Sequence, residues 1–412
     1  MDKKNRRYIY ILFFTLIVVM MGFGMIIPIM PYYVKSFGAS GSALGALMAT
    51  YGLLQFLFAP LWGSLSDRYG RRPILMVGIV GNAIAQLFFG LSTDLWMLFA
   101  ARALSGVLSS ATLPSAMAYI GDTTSEKDRG GGMGIIGAAM GVGMVIGPGL
   151  GGWLGGKSLS TPFFLAAALS LLSLVLVYFI LPEPPRAHVE HQAKLRGPQI
   201  KAMLGALAGP MGVLFFMAFL LSFGLTNFEG VFGLYAAERY AYGPEQVGGI
   251  LMVVGLISAV VQGGLTGPLT RRFGEVTIIR LSLIGSAIGF ALMIQANTLP
   301  AVLLTVSFFV ISNAMLNPSV NSLISKRTLS GQGITMGLTN SFLSLGRIAG
   351  PLWAGFVFDQ NMNMPYWTGA VIMLAGFGIS LVSLRGQASM PARRVKGDLE
   401  SPGDLASHET DG

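Results

Sequence analysis

Glu229 is the one acid set deep within a long apolar run, Met211 to Ala236. Burial favours the neutral form of a carboxyl, so a residue so placed can take a proton from one side of an apolar layer and release it to the other. Ionised, it would attract cations in competition with that proton. The plainer alternative is a carboxylate bonded permanently to a neighbouring helix. Arg102, in Arg102-Ala103-Leu104-Ser105-Gly106, and Arg347 are also enclosed by apolar sequence. A buried arginine stays charged and needs acceptors; no role is assigned to Arg347. Asn313, Asn317 and Asn321 recur every four residues, as do Asn82 and Gln86, so each set shares a helix face. Such amides line a cavity or bond between helices. Phe228, Phe232 and Tyr235 lie close to Glu229 and offer an apolar wall with cation–π capacity.

Little else can do chemistry. The chain has no cysteine, so disulfides and thiolate metal sites are excluded, and its three histidines (His188, His191, His408) lie outside the apolar runs. His188, Glu190 and His191 fall in a polar segment and read as solvated. Gly151 to Ser158 fits a phosphate-loop pattern, but it ends an apolar run with no strand before it. An enzyme, a metal and a cofactor are not expected.

These residues need a membrane to position them. Of 412 residues 53% are hydrophobic and only 11% charged, with mean hydropathy +0.66, too few charges to coat a soluble body of this size. A helix needs about 20 apolar residues to cross the hydrocarbon core. Twelve such runs occur between Ile9 and Leu384, and the first lacks a cleavage site and is expected to stay as a helix. The net charge of +9 points to a bilayer rather than nucleic acid: 21 of the 27 lysines and arginines fall on one side of the twelve crossings, and Lys35, Lys157 and Arg239 on the other. By the positive-inside rule both termini are expected in the cytoplasm.

The chain repeats itself. Gly143 to Gly152 (GMVIGPGLGG) recurs at Gly346 to Gly355 (GRIAGPLWAG), and Gly63, Arg68, Tyr69 and Gly70 map onto Gly267, Arg272, Phe273 and Gly274. Nearly equal offsets imply two six-helix halves in parallel orientation, which place a binding site near the midplane between them. The expected divisions are a half over 1–181, a cytoplasmic linker over 182–210, a half over 211–384 and a disordered tail over 385–412.

Gly63 to Arg72 (GSLSDRYGRR), read as a tight hairpin loop between the apolar runs Ala43 to Trp62 and Pro73 to Leu91, resembles the signature loop of the major facilitator superfamily. Gly143, Gly147, Pro148, Gly151 and Gly152 resemble its antiporter motif. Phe223 to Glu229, and Arg271 to Glu275 with Ile279 and Arg280, are similar to the proton-coupled multidrug exporters of Gram-positive bacteria, which expel quinolones and dyes. The resemblance implies an all-α, twelve-helix transporter working as a monomer in the cell membrane, exchanging protons for amphipathic, often cationic drugs, with Glu229 the proton carrier. It further implies a latch of Gly63, Asp67, Arg68, Gly70, Arg71, Arg72 and Asp122, in which Asp67 faces a helix N-terminus and Arg68 pairs Asp122. The chain departs from those exporters where they carry an acid and an arginine: Ala314 and Asn317 precede Pro318 here. A narrower exporter such as one for tetracycline, a sugar or metabolite symporter, and a non-transporting membrane sensor are the alternatives.

Overall fold

The computed structural model describes residues 3–124, 126–184, 200–209, 211–328 and 332–384. The expected tail and most of the expected linker, with His188, Glu190 and His191, lie outside the described residues. Among the described residues, twelve helices are long and apolar enough to cross a membrane. They are α1 (Arg7–Ser36), α2 (Gly41–Tyr69), α3 (Arg71–Gly90), α4 (Leu95–Thr123), α5 (Gly130–Gly155), α6 (Thr161–Ile180), α7 (Gly212–Tyr240), α8 (Pro244–Phe273), α9 (Glu275–Met293), α10 (Leu299–Arg327), α11 (Gly333–Phe358) and α12 (Met364–Ser383). Helices dominate because each peptide group must be satisfied within its own segment where no water is present. Part of the expected linker is also helical, Ile200–Ala208.

The repeat reappears as matched defects. In α4 a tighter turn at Ser109–Ala111 precedes Pro114, and α10 breaks after Ala314, ahead of Pro318. Each proline has no N–H to offer the carbonyl four residues back, so both helices yield at equivalent points.

Gly143, Gly147 and Gly151 of α5 bring its backbone against Ile17, Met21 and Met25 of α1, and Gly346 and Gly350 bring α11 against Phe219, Phe223 and Thr226 of α7. Between halves there are two seams. A methyl group on Gly45 of α2 would overlap the Pro351 carbonyl of α11, and one on Gly248 of α8 would overlap the Pro148 carbonyl of α5. Both seams lie at the end of the molecule away from Gly70, here called the far end. Tyr32 and Asp359 add cross-half hydrogen bonds there: the Tyr32 hydroxyl donates to the Tyr242 carbonyl at 2.8 Å, and Asp359 accepts from the Gly41 amide at 2.6 Å. Toward the opposite, basic end, Gly63, Gly137, Gly141, Gly264 and Gly337 have no neighbour within 4 Å of an added methyl. The halves therefore meet at the far end and part toward the basic end.

The expected hairpin loop Gly63 to Arg72 is almost entirely helix. No residue from Gly63 to Tyr69 breaks α2; the reversal is made by Gly70 alone, at φ +111°, a conformation open to glycine without strain.

Candidate functional site: charges at mid-membrane depth

α7 carries Glu229 and α11 carries Arg347, each more than ten residues from either end of its helix. The two helices are drawn together there: the Thr226 hydroxyl donates to the Gly346 carbonyl at 3.1 Å, and Gly230 faces Pro351. Arg347 is exposed and Glu229 half-buried despite their depth. Glu229 lies in the field of Arg347, which in turn feels Tyr51 of α2. Gly52, beside Tyr51, seats against Ile348. Both side chains therefore face the opening between the halves rather than lipid.

Arg102 has a different setting. It is 1% exposed, donates to the Met48 sulfur at 2.7 Å and lies 5.5 to 5.9 Å from the ring centres of Phe23, Tyr51 and Phe89. Its Nε and Nη1 have no hydrogen-bond partner. An aromatic cage stabilises a desolvated guanidinium by about 2 kcal/mol per good contact, and it holds this charge inside the first half, against Tyr51.

Most of the expected cavity residues lie elsewhere. Phe228, Phe232 and Tyr235 are at most 2% exposed and pack on the other face of α7, Phe228 against Phe309 and Tyr235 against Tyr366. They build the core of the second half and do not wall the opening; Glu229 shares its accessible face with Leu225 and Thr226. Asn82 donates to Ser170 at 2.9 Å and so bonds α3 to α6, and Gln86 is buried beside Gly22. These two are interhelical bonds and packing. Asn313 is buried against Gly224, whereas Asn317 accepts from Asn321 at 2.6 Å and remains half-accessible. The break in α10 separates Asn313 from the other two, so spacing by four does not keep them on one face.

At the basic end the pairing differs from the expected one. Asp122 is bonded by Arg71, whose Nε donates at 2.8 Å, and Arg71 also pairs Asp67. Arg68 instead lies over the Tyr69 ring at 5.4 Å. Asp67 lies in the last turn of α2 and Arg71 starts α3 across the Gly70 reversal, beside the end of α4, which lets it reach both acids. Asp67 does not face a helix N-terminus; Glu183 does, accepting from the Arg71 and Arg72 amides at 2.6 and 3.0 Å. Arg72 donates to the Tyr178 carbonyl.

Glu183, Asp359 and Tyr51 are thus participants that sequence reasoning missed. Asp359 had a signal: it follows the repeated glycine–proline motif by one turn, at the end of α11. Glu183 and Tyr51 had none that chain order could supply.

The family model described as Major Facilitator Superfamily matches residues 12–351 and 214–397. Multidrug resistance protein 2 of Bacillus subtilis (strain 168) is 31% identical over 383 residues, covering 92% of this chain and 96% of that protein. Quinolone resistance protein NorA of Staphylococcus aureus (strain COL) is 28% identical over 390 residues, covering 94% and 100%. Among solved structures, a bacterial homolog of the human lysosomal transporter Spinster, inward-facing and occupied, superposes with TM-score 0.76 at 14% identity over 93% of this chain and 98% of its own. The nucleoside transporter NupG gives 0.75 at 17% identity, over 93% and 100%.

Proposed function

Because the chain belongs to the major facilitator superfamily and is a multi-pass membrane transporter, we propose that it exports amphipathic drugs across the cytoplasmic membrane in exchange for protons. Glu229 is the proton carrier in this reading, and the halves rock about the midplane to expose it to each side in turn. The observation that carries it is the position of Glu229: an acid at mid-depth, half-accessible, beside the opening between two halves. The names of the relatives from B. subtilis and S. aureus support drugs as the cargo and export as the direction. The charge distribution supports a cytoplasmic basic end and cytoplasmic termini, so the opening faces the cytoplasm. The two six-helix halves act as the moving bodies, with the segment between them as the tether, and the transporter works as a monomer.

Exchange of one proton for one monovalent cation moves no net charge. Such transport follows the pH gradient and leaves unused the membrane potential, worth about 2.3 kcal/mol per charge per 100 mV. The reading is tested by dye efflux in inverted vesicles under an imposed pH gradient, with Glu229→Gln at matched expression. The variant is expected to lose gradient-driven movement and keep downhill exchange. Equal behaviour of the two proteins removes Glu229 as the coupling acid.

A further inference from the structure

The mid-depth charges do not balance. Arg347 and Glu229 sit in the middle reaches of their helices and Arg102 seven residues into α4, two guanidiniums to one carboxylate. Arg102 is sealed behind Phe23, Tyr51 and Phe89 and is out of reach of a ligand. Arg347 is the reverse: it is exposed, Glu229 acts on it through its field, and the residue before it, Gly346, accepts from the Thr226 hydroxyl of α7, whose accessible residues include Leu225, Thr226 and Glu229. The opening therefore holds one carboxylate and one accessible guanidinium, backed by a second positive charge. With Glu229 ionised the cluster is positive by one charge, and with Glu229 protonated by two. A lone cation is a poor match for that field, and an acidic group is a good one.

Resting on the reading that cargo enters this opening, we propose that Arg347 is a second recognition point within it, receiving the carboxylate of an acidic amphipathic cargo. The planar guanidinium offers paired N–H donors matched to a carboxylate, and an apolar surround strengthens the contact. Leu225 and the apolar walls of the opening take the rest of the molecule. An ionised Glu229 opposes such a cargo through its field at Arg347, and a proton on Glu229 removes that opposition. Proton and acidic cargo consequently bind together, whereas proton and basic cargo exclude each other. One site thus handles two cargo classes differently: a basic amphiphile exchanges with the proton, whereas an acidic one is bound together with it, as a pair that carries no net charge on which the membrane potential could act.

The test uses the purified full-length protein in detergent and three probes that share one ring system: 1-pyrenebutyrate, its methyl ester and 1-pyrenemethylamine. Binding is followed by fluorescence anisotropy against empty micelles. Wild type is expected to hold the butyrate about tenfold more tightly than the ester, the size of one charge-assisted pair. Arg347→Gln should bring that ratio close to one, and Arg347→Lys should keep part of it. Glu229→Gln should strengthen the butyrate and weaken the amine, which general damage to the fold would not do. A butyrate-to-ester ratio that Arg347→Gln leaves unchanged overturns the proposal, as does weaker butyrate binding in Glu229→Gln. Should Arg347→Gln not fold, wild type, Arg347→Lys and Glu229→Gln still decide it. Failure of the export reading looks different: the probes bind as expected while inverted vesicles show no gradient-driven dye movement.

Discussion

Arg71 opens α3 and pairs Asp122 near the end of α4; 204 residues on, Glu275 opens α9 and pairs Lys326 near the end of α10. The junction is the same and the charges are inverted. The neighbouring position inverts as well, Asp67 in the first half and Arg271 in the second. The first residue of a helix sits at the positive end of its dipole, so Glu275 is favoured there and Arg71 is not. The first half corrects this with a third group, Glu183, whose carboxylate takes the Arg71 and Arg72 amides. What the two halves share is backbone: a glycine reversal (Gly70 and Gly274, both at positive φ), proline breaks in α4 and α10, and glycine seams at the far end. Charge was free to diverge because it sits at the rims, while close backbone contact leaves no room for change.

The seams give the strongest test of that division. Gly45→Val and Gly248→Val each place side-chain atoms where a carbonyl of the other half lies. Each is expected to abolish closure of the far end and with it transport, to a similar degree in the two halves. The chain has no cysteine, so single cysteines placed across each seam for spin labelling give distances without background. A variant that still closes its seam would break the claimed equivalence.

The junctions should respond unequally. Arg71 has a side chain 17% exposed, with Asp122 at 30%, whereas Lys326 is 64% exposed. Arg71→Glu sets a carboxylate among Asp67, Asp122 and Glu183 and should cost about 1–2 kcal/mol. Lys326→Glu leaves its charge free to turn into solvent and should cost under about 1 kcal/mol. Thermal unfolding of the purified protein measures both, and equal losses would mean that exposure does not set the difference. Arg68→Gln, at the position first expected to hold Asp122, should change little.

The architecture was legible because it follows from length, hydropathy and repetition, all of which survive in one dimension. The twelve helices, the matched halves and the depth of Glu229 could be read directly from the chain. The partners could not. Glu183 reaches α3 across more than a hundred residues, and Asp359 reaches α2 across more than three hundred. Phe228, Phe232 and Tyr235 misled for a related reason: closeness to Glu229 in sequence says nothing of which face of α7 meets the opening. The Asn313 series misled because helical spacing fails across the break that Pro318 imposes. Arg68 lies in the last turn of α2 and Arg71 starts α3, and only the bend at Gly70 between them decides which one reaches Asp122.

The smallest expected effect isolates a charge that crosses between halves. Asp359, at the end of α11, accepts from the Gly41 amide, the Ser42 amide at 2.8 Å and the Ser42 hydroxyl at 2.5 Å, so it caps the N-terminus of α2. The equivalent place in the first half is Gly156, with Glu245 nearby and no carboxylate of its own. Partial burial pushes the Asp359 carboxyl up, but the hydrogen bonds from Ser42 and Gly41 outweigh it and hold the group below the ordinary carboxylate range. Its contribution to the closed far end is therefore complete above about pH 4 and is lost as pH falls through the lowered value. Asp359 is exposed, so screening limits the clasp to about 0.5–1 kcal/mol, a two- to five-fold shift in the population with the far end open. Asp359→Asn should produce that shift at neutral pH in spin-label distances across α2 and α11, should leave the α5–α8 distance distribution narrower than the α2–α11 one, and should remove the acid-induced opening. If Asp359→Asn leaves the α2–α11 distances unchanged, the glycine packing alone holds the seam, and the two halves are equivalent at the far end despite their different charges.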